Sequence, residues 1–176
     1  MAKVKKPLET AAETYDCALR LLSLRDHSQK ELRDKLAQRG AVKDYIENSI
    51  AKLTEYGIMN EERYAQRLFE AWMAKGIYGR QHLVAELRKR GVPGELYARI
   101  LEQFTEALEQ QHAERAAIQF CKLNHKKIEQ GSQSNDPKAR QRLYAAAGRY
   151  MAAKGFGGGY MEVILEAMQA EACVEE

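Results

Sequence analysis

Three basic–glycine pairs, Arg39-Gly40, Arg90-Gly91 and Lys154-Gly155, bring five apolar columns into one register, and this constrains the fold more than any other feature. Four residues before the glycines stand Leu36, Leu87 and Met151; eight before stand Leu32, Leu83 and Ala147. Six after come Ile46, Tyr97 and Met161, ten after Ile50, Leu101 and Leu165, and thirteen after Leu53, Phe104 and Met168. Apolar residues at i and i+4 ahead of a glycine describe a helix that ends on a left-handed cap; the columns beyond it describe a second helix. A further amphipathic stretch precedes each pair, at about 12–25, 60–75 and 107–127. Each repeat therefore reads as three helices. The predicted fold is all-α, with three tandem three-helix repeats at 12–58, 59–106 and 107–172, because stacked helical units bury a core that no unit could bury alone.

Local signals fall where this scheme needs them. Ser28 followed by Glu31 reads as a capping box, and Asn60 with Glu61 and Glu62 as another helix start. Gly57 closes the helix before Asn60, while Gly76 and Gly79 break the chain between two helices. Trp72 sits on an apolar stripe with Tyr64, Ala65 and Leu68 and is expected in the core. The polar run Glu129–Pro137 reads as a loop inside the third repeat, with flexible tails at 1–11 and 173–176.

The run K-G-F-G-G-G-Y, Lys154 to Tyr160, raises the question of a phosphate-binding loop. Tyr160 stands where G-x-G-x-x-G needs its last glycine, no strand precedes the run, and no G-K-[ST] follows, so neither nucleotide-binding context exists. Gly155 is instead the third cap glycine. Cys121 and His125, at i and i+4, are only half of a structural zinc set, and no catalytic motif is present. The expectation is a protein that is not an enzyme and uses no cofactor or metal. Three widely spaced cysteines, the absence of a signal-like start and the lack of a long apolar run fit a cytoplasmic protein without a membrane partner.

Net charge is only +3, but it is unevenly placed. The middle helices (28–40, 79–91 and 138–155) carry four, four and five Lys or Arg against two, one and no acids. The last helices of the repeats are net negative, at −1, −2 and −5. Basic last turns suit the helix macrodipole, which accounts for R-K-R-G and A-K-G. It does not account for Lys30, Arg80 or Arg140, which stand near helix starts. A solvated face and a polyanion-binding ridge are both open at this point. The candidate contact residues are Arg25, Lys30, Arg33, Arg39, Arg80, Arg88, Arg90, Arg140, Arg142 and Arg149.

The segment A-L-R-L-L-S-L-R-D-H-S-Q-K-E-L-R-D-K-L-A-Q-R-G, Ala18 to Gly40, resembles the signature of the RecX family of bacterial regulatory proteins. So do Tyr56-Gly57-Ile58, the R-Y-A at Arg63–Ala65, E-L-R-K-R-G-V at Glu86–Val92 and Y-M-A-A-K-G-F at Tyr150–Phe156. The resemblance implies an elongated, curved array of three trihelical repeats that binds in the groove of the RecA–DNA filament. It also implies modulation, most often inhibition, of RecA's recombinase, ATPase and coprotease activities, with single- or double-stranded DNA contacted inside the filament. A monomer is expected. The alternative is a helical module that binds DNA directly, with no RecA target.

Overall fold

The structure, a computed structural model, describes residues 7–133 and 136–172. The described residues form helices α1 (Ala11–Leu24), α2 (Gln29–Ala37), α3 (Lys43–Glu55), α4 (Glu61–Met73), α5 (Arg80–Arg90), α6 (Gly94–Gln103), α7 (Glu106–Gln133), α8 (Pro137–Ala153) and α9 (Met161–Ala172), with a 3₁₀ turn at Gly158–Tyr160 before α9 and no strand. In chain order these are three sets of three, as the repeat predicts. Packing groups them into two compact units: residues up to Leu68 with Leu87–Ala98, and Phe69–Glu86 with Arg99 onward. The division passes through α4, α5 and α6.

In the first unit α1, α2 and α3 close a bundle around Cys17, Ala18, Leu32, Leu36, Ile46, Ile50 and Leu53, all buried. Each large aliphatic side chain taken out of water there contributes about 1.5–3 kcal/mol. Thr10 and Glu13 cap α1 reciprocally. Ser28 caps α2 only through its hydroxyl, which accepts from the Glu31 N–H. The second half of the expected box is missing because the Glu31 carboxylate is engaged elsewhere. Asn60 Oδ1 accepts from the Arg63 N–H at 2.8 Å and starts α4 as expected.

Two boundaries differ from the sequence reading. The N-terminal tail does not run free to residue 11: Leu8 is buried and its N–H donates to the Arg39 carbonyl at 3.0 Å, so the chain is laid against the end of α2. The buried leucine and the hydrogen bond to the Arg39 carbonyl, just past α2, hold it there. Residues 1–6 and 173–176 lie outside the described part. The polar loop at 129–137 is also shorter, since Glu129–Gln133 continue α7 and Pro137 already begins α8 under the Asp136 cap. Residues 134 and 135 lie outside the described part. Polarity misled there because those residues lie on a helix with much of its surface in water.

In the second unit α7, α8 and α9 pack around Ala113, Ala116, Ala117, Phe120, Cys121, Ala147, Met151, Ile164 and Met168. The small residues on α7 leave room for the larger ones opposite. α7 is kinked at Asn124 (φ −122°, ψ 15°), whose side-chain amide donates to the Phe120 carbonyl. The three cap glycines Gly40, Gly91 and Gly155 all have positive φ, at 80°, 70° and 84°, as the repeat requires.

Three of the five columns are buried in every repeat; the columns six and ten residues after the glycine are buried only in the first. In α6 and α9 it is Ile100 and Ile164, one position before Leu101 and Leu165, that go fully inside. The equivalent position of α3, Ser49, is buried too, so the three helices share one register and α3 buries a broader face that also takes in Ile46 and Ile50.

Candidate functional site

The ten candidate residues divide into those the fold employs internally and those it leaves outside. In the first unit the start of α2 meets the end of α5, and Glu31 is the hub. Its Oε2 accepts from Arg25 Nη1 at 3.0 Å and lies 3.2 Å from His27 Nδ1, while Oε1 accepts from Arg90 Nη1 at 2.7 Å. Burial raises the Glu31 pKa, but the hydrogen bonds from Arg25 and Arg90 outweigh that and hold the carboxyl below its usual range. Burial, assisted by Arg25, pushes the His27 imidazole down despite Glu31. Arg25 and Arg90 are thus structural partners of one carboxylate.

The backbone completes this junction. Ser28 Oγ donates to the Arg90 carbonyl at 2.6 Å, and the Gln29 N–H donates to Glu61 Oε1. The other carboxylate oxygen of Glu61 is buried with no hydrogen-bond partner among the described residues, and burial raises the Glu61 pKa. Lys30 is exposed at its head, but its stem covers Gly91, where an added Cβ would stand 2.7 Å from the Lys30 Cβ. Lys30 therefore stands at a helix start for packing reasons. Arg33 forms a two-pronged pair with Glu47 of α3, at 2.8 and 3.1 Å. Arg39 donates to Cys17 Sγ at 2.9 Å.

In the second unit the start of α5 meets the end of α8. The Gly79 and Gln81 N–H groups donate to the Lys154 and Gly155 carbonyls at 3.0 and 3.1 Å. The Arg80 N–H donates to Glu109 Oε1 at 2.7 Å and its guanidinium to Glu109 Oε2 at 3.3 Å. That guanidinium also donates to the Leu101 and Phe104 carbonyls, closing the end of α6, and lies over the Phe104 ring. Around it Trp72 donates to His82 Nδ1 at 2.9 Å and packs against Phe104 and His112, whose Nδ1 lies 2.9 Å from the Tyr78 carbonyl. Burial lowers the pKa of both His82 and His112. Arg80 holds two helix ends together; it is not a free cation.

What remains is Arg88 in the first unit, and Arg140, Arg142 and Arg149 in the second. All four are exposed, and none has a hydrogen bond or ion pair among the described residues. The ridge expected from charge counts is reduced to these four and the head of Lys30. Sequence counting could not separate them from the rest, because the partners Glu31, Glu47 and Glu109 lie on other helices. No group of three or more His, Cys, Asp or Glu among the described residues is placed to hold a metal ion. No described helix is long and apolar enough to cross a membrane.

Residues 15–53 match the family model described as RecX, first three-helix domain. The chain is 32% identical over 119 residues to the regulatory protein RecX of Caldanaerobacter subterraneus subsp. tengcongensis, covering 68% of this chain and 60% of that protein. It is 29% identical over 147 residues to the regulatory protein RecX of Mycolicibacterium smegmatis, covering 84% and 77%. The matched stretch thus spans about three-fifths of the first relative's length. The fold is similar to the crystal structure of RecX from Lactobacillus salivarius, with TM-score 0.68 and 21% identity over 91% of this chain and 97% of that one.

Proposed function

This chain belongs to the RecX family, and we propose that it binds the RecA–DNA filament and lowers RecA's recombinase, ATPase and coprotease activities. Its relatives carry the name of regulatory proteins, and a regulatory role is the shared ground. The chain acts on RecA by occupying the filament and not by catalysis. A cytoplasmic monomer suits that role.

The observation that carries this reading is the set of exposed arginines, Arg88, Arg140, Arg142 and Arg149, which have no partners among the described residues and stand on the middle helices. Guanidinium groups free of carboxylates are suited to phosphates or to an acidic protein surface. The test is RecA's DNA-dependent ATPase titrated with the full chain. Inhibition at near-stoichiometric amounts is expected, and the variant R88Q/R142Q/R149Q should need severalfold more protein. An ATPase rate that the wild-type chain leaves untouched sinks the RecA reading.

A second reading, a module that binds DNA directly without RecA, is favoured by the same exposed cations. It predicts DNA affinity that weakens steeply with salt while RecA's ATPase stays unchanged.

A further inference from the structure

Three cations stood at helix starts against the macrodipole: Lys30, Arg80 and Arg140. The fold explains two. Lys30 covers Gly91 and Arg80 closes the end of α6. α8 keeps the anomaly, and in stronger form. Its first two turns hold Lys138, Arg140 and Arg142, Arg149 follows, and it has no acidic side chain of its own beyond the Asp136 cap. α1, α2, α3, α4, α6, α7 and α9 all carry an acid in the first turn. Cations at such a start are unfavourable. Among the described residues no carboxylate pairs with Lys138, Arg140 or Arg142 to offset this.

Geometry adds direction to charge. At about 100° per residue, Lys138, Arg142 and Arg149 fall within about 40° of one another. They lie opposite the buried Ala147 and Met151, with the small Ala145 and Ala152 between and beyond them. At about 1.5 Å per residue the first two are about 6 Å apart along the axis and the last two about 10 Å. Beside this stripe α7 and α8 border a groove of about 440 Å³, lined by Asn124, Lys127, Gln130, Leu143 and Arg142 among others. No carboxylate of the described residues lines it. Lys127 is exposed and, like Arg142, has no ion pair among the described residues.

We propose that the outward stripe Lys138–Arg142–Arg149, with Lys127 across the groove, is a binding site for the phosphodiester backbone of a nucleic acid. Charge complementarity selects this occupant: a row of cations with small residues between them follows a chain of phosphates, and the groove's amide and aliphatic walls admit a sugar or base edge. The inference deepens the filament reading, but it can stand without it. Binding is expected to be carried mainly by charge, and hence to be sensitive to salt and tolerant of sequence.

The test is fluorescence anisotropy of a labelled oligothymidylate with the full-length chain across a salt series, for wild type and K138Q/R142Q/R149Q. A control, R20Q/K43Q/K52Q, removes equal charge from exposed positions of the first bundle. Glutamine preserves helix propensity, and thermal melts followed by circular dichroism check that all three proteins fold. Three lost phosphate contacts should reduce the slope of log K against log salt by about 2 for a single strand, with little change in the control. An unchanged slope, an equal loss in the control, or no affinity at low salt in the wild type overturns the proposal. If the α8 variant keeps nucleic-acid affinity but no longer inhibits RecA's ATPase, the face belongs to an acidic protein surface and only this inference falls. If the slope drops while wild type leaves the ATPase unchanged, the filament reading falls and this site remains.

Discussion

Laid over each other, the two inter-repeat junctions share a docking plan and differ in almost every side chain. The Ser28 hydroxyl donates to the Arg90 carbonyl, and at the repeat-equivalent position the Gly79 backbone N–H donates to the Lys154 carbonyl. The N–H at the first position of α2 is taken by Glu61 from α4, and that at the first position of α5 by Glu109 from α7. Yet the first junction is built from charges around Glu31, while the second is built from rings around Trp72. One device for docking repeats therefore tolerates two chemistries. What both must keep is a helix start with free N–H groups, a carboxylate to receive one, and a cap glycine that permits close approach.

The sharpest way to break this equivalence is to add one methyl group to each glycine. At Gly155 an added Cβ would stand 2.7 Å from His82 Cβ and 2.9 Å from its Cα, so backbone would have to move. With the left-handed φ added, Gly155→Ala is expected to cost about 3–5 kcal/mol. At Gly91 the obstacle is the Lys30 side chain, whose outer carbons can swing into water but whose Cβ, 2.7 Å from an added Cβ, is fixed by its backbone, and Gly91→Ala should cost somewhat less, about 2–4 kcal/mol. Urea unfolding of both variants measures the difference. Equal costs would mean that the two approaches are not as unlike as their neighbours suggest.

Next in size is the charge hub. Glu31→Gln removes the charged partner of Arg25 and Arg90 and should cost about 1–2 kcal/mol in low salt. The penalty should shrink as salt rises, because the hub is only partly buried. Trp72→Phe in the other junction should show no such salt dependence. Denaturation in low and high salt distinguishes the two.

Acid offers a third contrast. The depressed pKa values of His82 and His112 mean that the unfolded chain takes up these protons first, so their contribution is intact above about pH 6.5 and is lost as pH falls through the folded values. Glu31, also depressed, contributes above the ordinary carboxylate range and is lost only at lower pH. His27, depressed by burial in the charged junction, begins to act in the same range as the other histidines. Trp72 is the only tryptophan in the chain, so its fluorescence reports the aromatic junction. That signal should begin to lose stability between pH 6.5 and 5, and His112→Gln should flatten the dependence. A profile flat down to pH 5 would contradict the assignment.

How much of this was legible beforehand follows the range of the interactions. Helix positions, cap glycines and the buried columns were written locally, in spacings of three and four, and Leu32, Leu83 and Ala147 are all buried. Which of two adjacent apolar residues goes inside was not, because Ile100 and Leu101 are equally apolar and only packing chooses between them. The candidate site was legible as composition but not as geometry. Arg33 and Arg142 look alike in sequence; a glutamate on another helix takes one and leaves the other exposed. Long-range pairing of charges has no period for a reader to find.

The smallest expected effect is the finest test of the shared device. Glu61 and Glu109 both receive a helix-start N–H through one carboxylate oxygen, but Glu109 also holds Arg80, while the other oxygen of Glu61 has no hydrogen-bond partner among the described residues. Burial has already raised the pKa of Glu61, so its charge is a burden there. Glu61→Gln keeps the accepting oxygen and removes the buried charge, and stability at pH 7 should change by less than about 0.5 kcal/mol, in the favourable direction if at all. Glu109→Gln keeps the same oxygen but loses the charge facing Arg80, and should cost about 1–2 kcal/mol. If both substitutions cost the same, the carboxylate serves only as an acceptor in either place. If Glu61→Gln is the more damaging, the charge at the first junction is needed after all, and the two junctions are less alike than their hydrogen bonds imply.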